Sequence, residues 1–177
     1  MRPRPGDDVL AGIRLLLTDV DGVLTDGRIH FDPTGQELKT FHVHDGAGLV
    51  YWNRAGMLSG FLSGRAGRIV EQRAAELGVH EVHLGSVDKR PVLDEILARR
   101  GLRPHEVAFV GDDLADLPVL EVVGFGVAVA NARPEVQERA HHVTGARGGE
   151  GALREVVELL LRAKGKWDAV VDRGGLR

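Results

Sequence analysis

The stretch from Leu15 to Gly27, L-L-L-T-D-V-D-G-V-L-T-D-G, decides how the rest of the chain is read. A short apolar run ends in three carboxylates, Asp19, Asp21 and Asp26, and a glycine follows each of the last two. Like charges a few Å apart are costly unless something neutralises them. Ile13 to Thr18 has the unbroken apolarity of a strand buried on both faces, which is a property of parallel sheets. Acidic groups at its carboxyl end then stand where open α/β sheets build their sites.

Outward from this stretch, strands and helices alternate. Arg28 to Phe31 and Glu37 to Val43 flank D-P-T-G, a turn signal, and read as a hairpin over about residues 26–43. Gly46 to Gly56 reads as a helix, and Met57 to Leu62 as a second buried strand. Arg68 to Leu77 is an amphipathic helix stopped by Gly78. Val82 to Leu84 is a third strand, and Pro91 to Arg100 a helix closed by Gly101. Val107 to Val110, Leu114 to Val123 and Val127 to Ala130 read as strand, helix and strand, and Gly151 to Lys164 is the last helix. The alternation predicts an α/β fold: a three-layer, Rossmann-like parallel sheet with helices on both faces and a protruding β-hairpin.

The chain of 177 residues, 43% of them hydrophobic, suits one core, so a single domain over 1–177 is expected, with flexible tails at about 1–9 and 168–177. A net charge of −3 gives no global signal for nucleic acid or an anionic membrane. Without cysteine there are no disulfides and no thiolate metal sites. No apolar segment has the length of a membrane span, so a cytoplasmic protein is expected.

Four groups fall at strand ends. Asp19 and Asp21 follow the first strand, Ser63 in L-S-G-R the second, Lys89 in S-V-D-K-R the third, and Asp112 and Asp113 in V-G-D-D the fourth. Carboxylates without thiolates suit a hard cation, Mg²⁺. A carboxylate can attack phosphorus, and a second acid two residues on can protonate the leaving oxygen and later take a proton from water. A hydroxyl, backbone N–H groups and a lysine can hold phosphate oxygens through the transition state. The set points to phosphoryl transfer.

The segments D-V-D-G-V-L-T-D-G, L-S-G-R, D-K and G-D-D-L-A-D resemble the four ordered motifs of haloacid dehalogenase-type phosphatases. H-D-G-A-G, E-Q-R-A-A-E-L-G and G-G-E-G-A-L-R-E are similar to segments of a small, capless branch, the 3-deoxy-D-manno-octulosonate 8-phosphate phosphatases. The resemblance implies hydrolysis of that sugar-acid phosphate, feeding lipopolysaccharide core synthesis, without a cap domain. It implies that Asp19 is nucleophile and metal ligand. Asp21 is the acid/base, with its carbonyl a second ligand, and Asp112 is the remaining carboxylate ligand. Ser63 and Lys89 bind phosphate, Asp113 stands behind the ligands, and Asp116 supports Lys89 or the metal waters. His42, Val43, His44, Asp45 and Gly46, together with Gly64, Arg65 and Arg73, fall where the branch contacts sugar and carboxylate. The branch is tetrameric, with a hairpin over a neighbour's site, which implies that Ile29, Phe31, Leu38 and Phe41 are buried between subunits. His44 departs from the pattern, because related chains often carry arginine there. Arg65 favours the octulosonate enzyme over a phosphatase of a nine-carbon ulosonate 9-phosphate, where an acidic residue is usual. A receiver-type signalling domain uses similar groups but keeps its phosphoacceptor on a later strand. An inactive binding module would lack a catalytic residue, and none is missing.

Overall fold

The computed structural model describes residues 1–174. Its strands are β1 (Leu15–Thr18), β2 (His30–Phe31), β3 (Glu37–Leu38), β4 (Leu58–Ser63), β5 (Glu81–Leu84), β6 (Val107–Gly111), β7 (Phe125–Ala128) and β8 (His142–Val143). Its helices are α1 (Asp7–Gly12), α2 (Val43–Arg54), α3 (Arg68–Leu77), α4 (Lys89–Arg100), α5 (Leu117–Leu120), α6 (Pro134–Arg139), α7 (Ala152–Ala163) and α8 (Trp167–Asp172).

The apolar run of the opening stretch is the centre of a six-stranded parallel sheet of order β5-β4-β1-β6-β7-β8. Leu17 lies between Gly60 of β4 and Phe109 of β6, and all four residues of β1 are buried. A strand with neighbours on both edges and helices over both faces has no solvated side, hence its unbroken apolarity. The chain leaves β1 toward β4 and β5 on one side and toward β6, β7 and β8 on the other. This reversal opens a crevice beyond the carboxyl end of β1. The helices bring apolar stripes to the sheet: Leu153, Val156, Val157, Leu160 and Leu161 of α7 are all buried, at helical spacing. Trp52, Phe61, Phe109 and Phe125 are the largest fully buried side chains.

Several elements differ from the sequence-based expectation. Among the described residues the hairpin strands are only two residues each, pair solely with one another, and end well before Val43, which opens α2. The helix expected over Leu114 to Val123 is a 3₁₀ turn, Leu114–Asp116, followed by the short α5. Asp116 turns inward there to accept from the backbone N–H groups of Asp112 and Asp113, and Pro118 starts the next turn. The expected N-terminal tail is tied down instead. Arg2 N–H donates to Ala140 O at 2.9 Å, and α1 buries Leu10. At the other end, Asp168 to Asp172 belong to α8, anchored by buried Trp167, while residues 175–177 of the expected tail lie outside the described residues. The short elements α6 and β8 were not expected from the sequence. Among the described residues no helix is long and apolar enough to cross a membrane.

Candidate active site

The parallel register brings three strand ends side by side at the crevice. Asp19 continues β1, its N–H donating to Val110 O of β6 at 2.9 Å, and Ser63 closes β4. Lys89 opens α4 behind an Asp88 cap, and its ammonium is buried. Lys89 Nζ donates to Asp19 Oδ1 at 2.7 Å and to Asp116 Oδ1 at 2.6 Å. Asp116 Oδ2 accepts from the N–H groups of Asp112 at 2.8 Å and Asp113 at 3.2 Å. Asp116 therefore joins the lysine to the loop after β6. Asp113 is exposed and caps its own turn, its Oδ1 accepting from Leu114 N–H. Ser63 Oγ accepts from Arg65 N–H at 3.1 Å, so the loop Ser63-Gly64-Arg65 is closed on itself.

The backbone around these groups is packed to contact. Gly22 has φ +100°, and a Cβ there would lie 2.1 Å from Asp112 Oδ2. The missing side chain lets a carboxylate from β6 rest against the loop from β1. Behind that loop runs the glycine-rich segment 145–151. A Cβ on Gly148 would stand 1.6 Å from Gly22 O, and Gly148 N–H donates to Asn131 Oδ1 at 2.7 Å.

Burial and mutual repulsion govern the electrostatics of the carboxylates. Burial and the charge of Asp116 raise the Asp19 carboxyl to about 6, against the pull of Lys89. Burial and the charges of Asp19, Asp116 and Asp113 raise Asp112 to about 8. Burial alone would lower Lys89, but Asp116 and Asp19 raise it. Asp112 Oδ1 is buried and has no hydrogen-bond partner among the described residues. Oxygens of Asp19, Asp112 and Asp116 lie within 4.8 Å of one another. All-oxygen donors, an orphaned carboxylate oxygen and carboxyls raised by mutual repulsion fit a hard divalent cation such as Mg²⁺. Asp116 is already engaged by Lys89 and two N–H groups. That leaves Asp19 and Asp112 as the carboxylates with capacity to bind it.

The substrate-contact candidates divide into two groups. Gly64 and Arg65 stand beside Ser63, and Arg65 Nε lies 3.7 Å from Asp21 Oδ2. His42, Val43, His44, Asp45 and Gly46 form the start of α2, with His42 as its N-cap residue. Asp45 is buried and faces the start of α7, accepting from Arg154 N–H at 2.8 Å and Gly151 N–H at 3.3 Å. Burial raises its carboxyl, against those bonds and the charge of His42. It joins two helices rather than facing the crevice. Arg73 is mostly covered, pairs with Glu76 at 2.8 Å, and lies 5.7 Å from the Phe41 ring centre. A Cβ on Gly46 would be 2.2 Å from Arg73 Nη2, so this glycine makes room for the guanidinium. Arg73 and His42 pack with Leu24, Phe41 and Leu77 around a gap too small for water. His44 and Val43 are exposed.

Two residues at this site were not picked out from the sequence, Glu37 and Lys39. The Lys39 ammonium pairs with Asp21 Oδ1 and, at 3.1 Å, with Glu37 Oε1. Glu37 Oε1 also accepts from Arg65 Nη2 at 2.9 Å. The signal was available in E-L-K: strand alternation puts positions 37 and 39 on one face and Leu38 on the other.

Comparison with known proteins agrees with this geometry. Residues 65–155 match the haloacid dehalogenase-like hydrolase family. The 3-deoxy-D-manno-octulosonate 8-phosphate phosphatase KdsC of Escherichia coli is 45% identical over 164 residues, 91% of this chain and 87% of the relative. The crystal structure of the corresponding phosphatase from Moraxella catarrhalis, in complex with magnesium, phosphate and KDO, superposes with a TM-score of 0.93 at 35% identity, covering 95% of this chain and 97% of that one. A probable YrbI family phosphatase from Pseudomonas syringae gives the same TM-score at 46% identity, over 95% and 96% of the two chains. The chain belongs to the haloacid dehalogenase-like hydrolases, in the family of the 3-deoxy-D-manno-octulosonate 8-phosphate phosphatases.

Proposed function

We propose that this chain is a Mg²⁺-dependent phosphatase that hydrolyses 3-deoxy-D-manno-octulosonate 8-phosphate to the free sugar acid and phosphate. The observation that carries the reading is the buried Asp19–Lys89–Asp116 array beside an unpartnered Asp112 oxygen, at the sheet's switch point. Asp19, Asp112 and the Asp21 carbonyl would hold the cation, whose charge offsets the carboxylate repulsion and admits an anionic phosphate. Lys89 fixes the Asp19 carboxylate for attack on phosphorus. An Asp19–phosphorus bond forms as the bond to the sugar oxygen breaks, and Asp21 delivers a proton to that oxygen. A water then attacks phosphorus, gives its proton to Asp21 and releases Asp19. Ser63, the N–H groups of its loop and Lys89 hold the phosphate oxygens throughout.

Phosphate release from a panel of sugar phosphates, with Mg²⁺ and after chelation, tests the reading. Preference for the octulosonate phosphate is the expected result. A preference for a nine-carbon ulosonate phosphate, or activity that survives exhaustive chelation, overturns it.

The reading includes a single-domain chain working in the cytoplasm as a homotetramer. Ile29, Phe31 and Leu38 of the hairpin are about half or more exposed, whereas Phe41 packs against the chain's own core. An isolated two-stranded hairpin is marginal in water, so these apolar side chains favour cover from other subunits. Light scattering is expected to give a tetramer, and deletion of the tip, Asp32 to Gly35, to weaken both assembly and catalysis. A fully active monomer would refute this part.

A further inference from the structure

Lys39 and Glu37 have no part in the phosphoryl-transfer chemistry above, yet they stand beside it. Four charged side chains meet at the hairpin base: Asp21, Lys39, Glu37 and Arg65. The Lys39 side chain is only 3% exposed, Glu37 and Asp21 are each 19%, and Arg65 is 46%. One oxygen, Glu37 Oε1, is gripped from two sides, by Lys39 Nζ at 3.1 Å and Arg65 Nη2 at 2.9 Å. The site therefore displays how it holds a carboxylate. Lys39 also lines a cavity of about 420 Å³ between the hairpin base and α3, together with Phe41, Gln72 and Arg73.

We propose that Lys39 and Arg65 form the seat for the substrate's carboxylate, and that Glu37 fills this seat in the free enzyme and is exchanged for the substrate. The proposal rests on the reading of the substrate as a sugar-acid phosphate. Without Glu37 two cations, one of them buried, would face Asp21 alone, so Glu37 leaves the pair only when another carboxylate arrives. The exchange is charge-neutral: two cations face two carboxylates before and after. A phosphate ester without a carboxylate has nothing to offer the seat and leaves Glu37 in place. Discrimination then comes from an internal competitor as well as from direct attraction. The arrangement also explains why the hairpin base is pinned to its own chain.

The test compares the octulosonate phosphate with a carboxylate-free aldose phosphate, and measures binding of the free sugar acid by titration calorimetry. Glu37→Gln keeps the shape and removes the competing charge. It is expected to lower KM for the sugar-acid phosphate, and Kd for the sugar acid, by about threefold to tenfold more than KM for the aldose phosphate. Lys39→Met is expected to raise the same two constants by about tenfold or more, with a smaller change for the aldose phosphate, and Lys39→Arg to recover most of the loss. Equal shifts for both substrates in Glu37→Gln, a variant that keeps the shape of the hairpin base, or a Lys39→Arg as impaired as Lys39→Met, would overturn the exchange. A wild-type enzyme that does not prefer the sugar-acid phosphate would overturn the substrate reading instead.

Discussion

The loop after β1 and the base of the hairpin carry charged side chains that touch, but they are held by different forces. Asp19 is fixed by a backbone bond to β6, by Lys89, and by a layer of glycine contacts in which Gly22 meets Asp112 and Gly148 meets Gly22. These contacts tie the loop to the carboxyl ends of the central strands and to the segment packed behind it. Glu37 and Lys39 stand on a two-stranded ribbon that, among the described residues, pairs with no other strand, and ion pairs bind them to Asp21 and Arg65. Ion pairs can be traded for others of the same sign, whereas close-packed backbone cannot. The first region suits chemistry, which needs fixed geometry, and the second suits recognition, which needs exchange.

The sharpest way to break the rigid region is at its nucleophile. Asp19→Asn keeps the size and the bond to Lys89 but removes the attacking charge. Turnover is expected to fall by at least about 10⁴-fold with an unchanged circular dichroism spectrum. Retained activity in a folded variant would remove Asp19 from that role.

The cation is the next lever, and its effect has a sign set by protonation. Asp112 in the folded, metal-free chain is raised from 3.8 to about 8. A raised carboxyl contributes stability below its unfolded value, and that contribution is lost as pH climbs through the folded one. The metal-free protein is therefore expected to lose melting temperature as pH rises from about 4 to about 8, and to level off above that. Mg²⁺ requires the ionised carboxylates and displaces their protons, so its stabilising effect grows over the same range. Scanning calorimetry with Mg²⁺ and with EDTA checks both slopes. A Mg²⁺ effect that shrinks with pH would contradict the ligand assignment.

Gly148→Ala attacks the rigidity itself, with no charge removed. A methyl group 1.6 Å from Gly22 O must push the 145–151 segment away from the loop that carries Asp21. Overpacking of this kind costs about 1–3 kcal/mol, a drop of roughly 2–10 °C in Tm for a chain of this size. Activity is expected to fall with it, because Gly22 seats Asp112. A fully active Gly148→Ala would show that the segment is only covering.

The same contrast explains what could be read from the sequence. The sheet and its strand-end groups were legible because buried strands announce themselves by unbroken apolarity and parallel topology assigns their ends to one crevice. Asp19, Ser63, Lys89 and Asp112 needed no long-range information beyond that. The short elements left no periodicity: α1 has one buried residue, and β8 has two residues in all. The helix after Asp113 looked continuous because its side chains suit a helix, whereas the inward turn of Asp116 depends on Lys89, 27 residues earlier. Asp45 and Arg73 read as candidates for contact with the sugar. Their partners, the start of α7 and the Phe41 ring, are set by helix packing that a linear reading does not contain.

Arg73 gives the smallest expected effect and the closest discrimination, since it both packs between helices and lines the cavity beside the hairpin base. Its guanidinium lies over Phe41 and against Gly46, which ties α3 to the start of α2, and it also lines the cavity beside Lys39. Loss of a charged hydrogen bond to a ligand costs about 1.5–3 kcal/mol, or roughly tenfold to a hundredfold in KM. Loss of stem packing would instead lower Tm and affect all substrates alike. Arg73→Ala removes both contributions, while Arg73→Met keeps an apolar stem over Phe41 and removes only the charge. With 82% of the side chain's surface already covered, the ligand contribution is expected to be the lesser one: a KM increase near tenfold for the sugar-acid phosphate, shared by both variants, and a Tm loss in Arg73→Ala that Arg73→Met largely restores. If Arg73→Met restores KM as well, Arg73 shapes the cavity wall without binding the substrate, and recognition of the carboxylate falls to Lys39 and Arg65 alone.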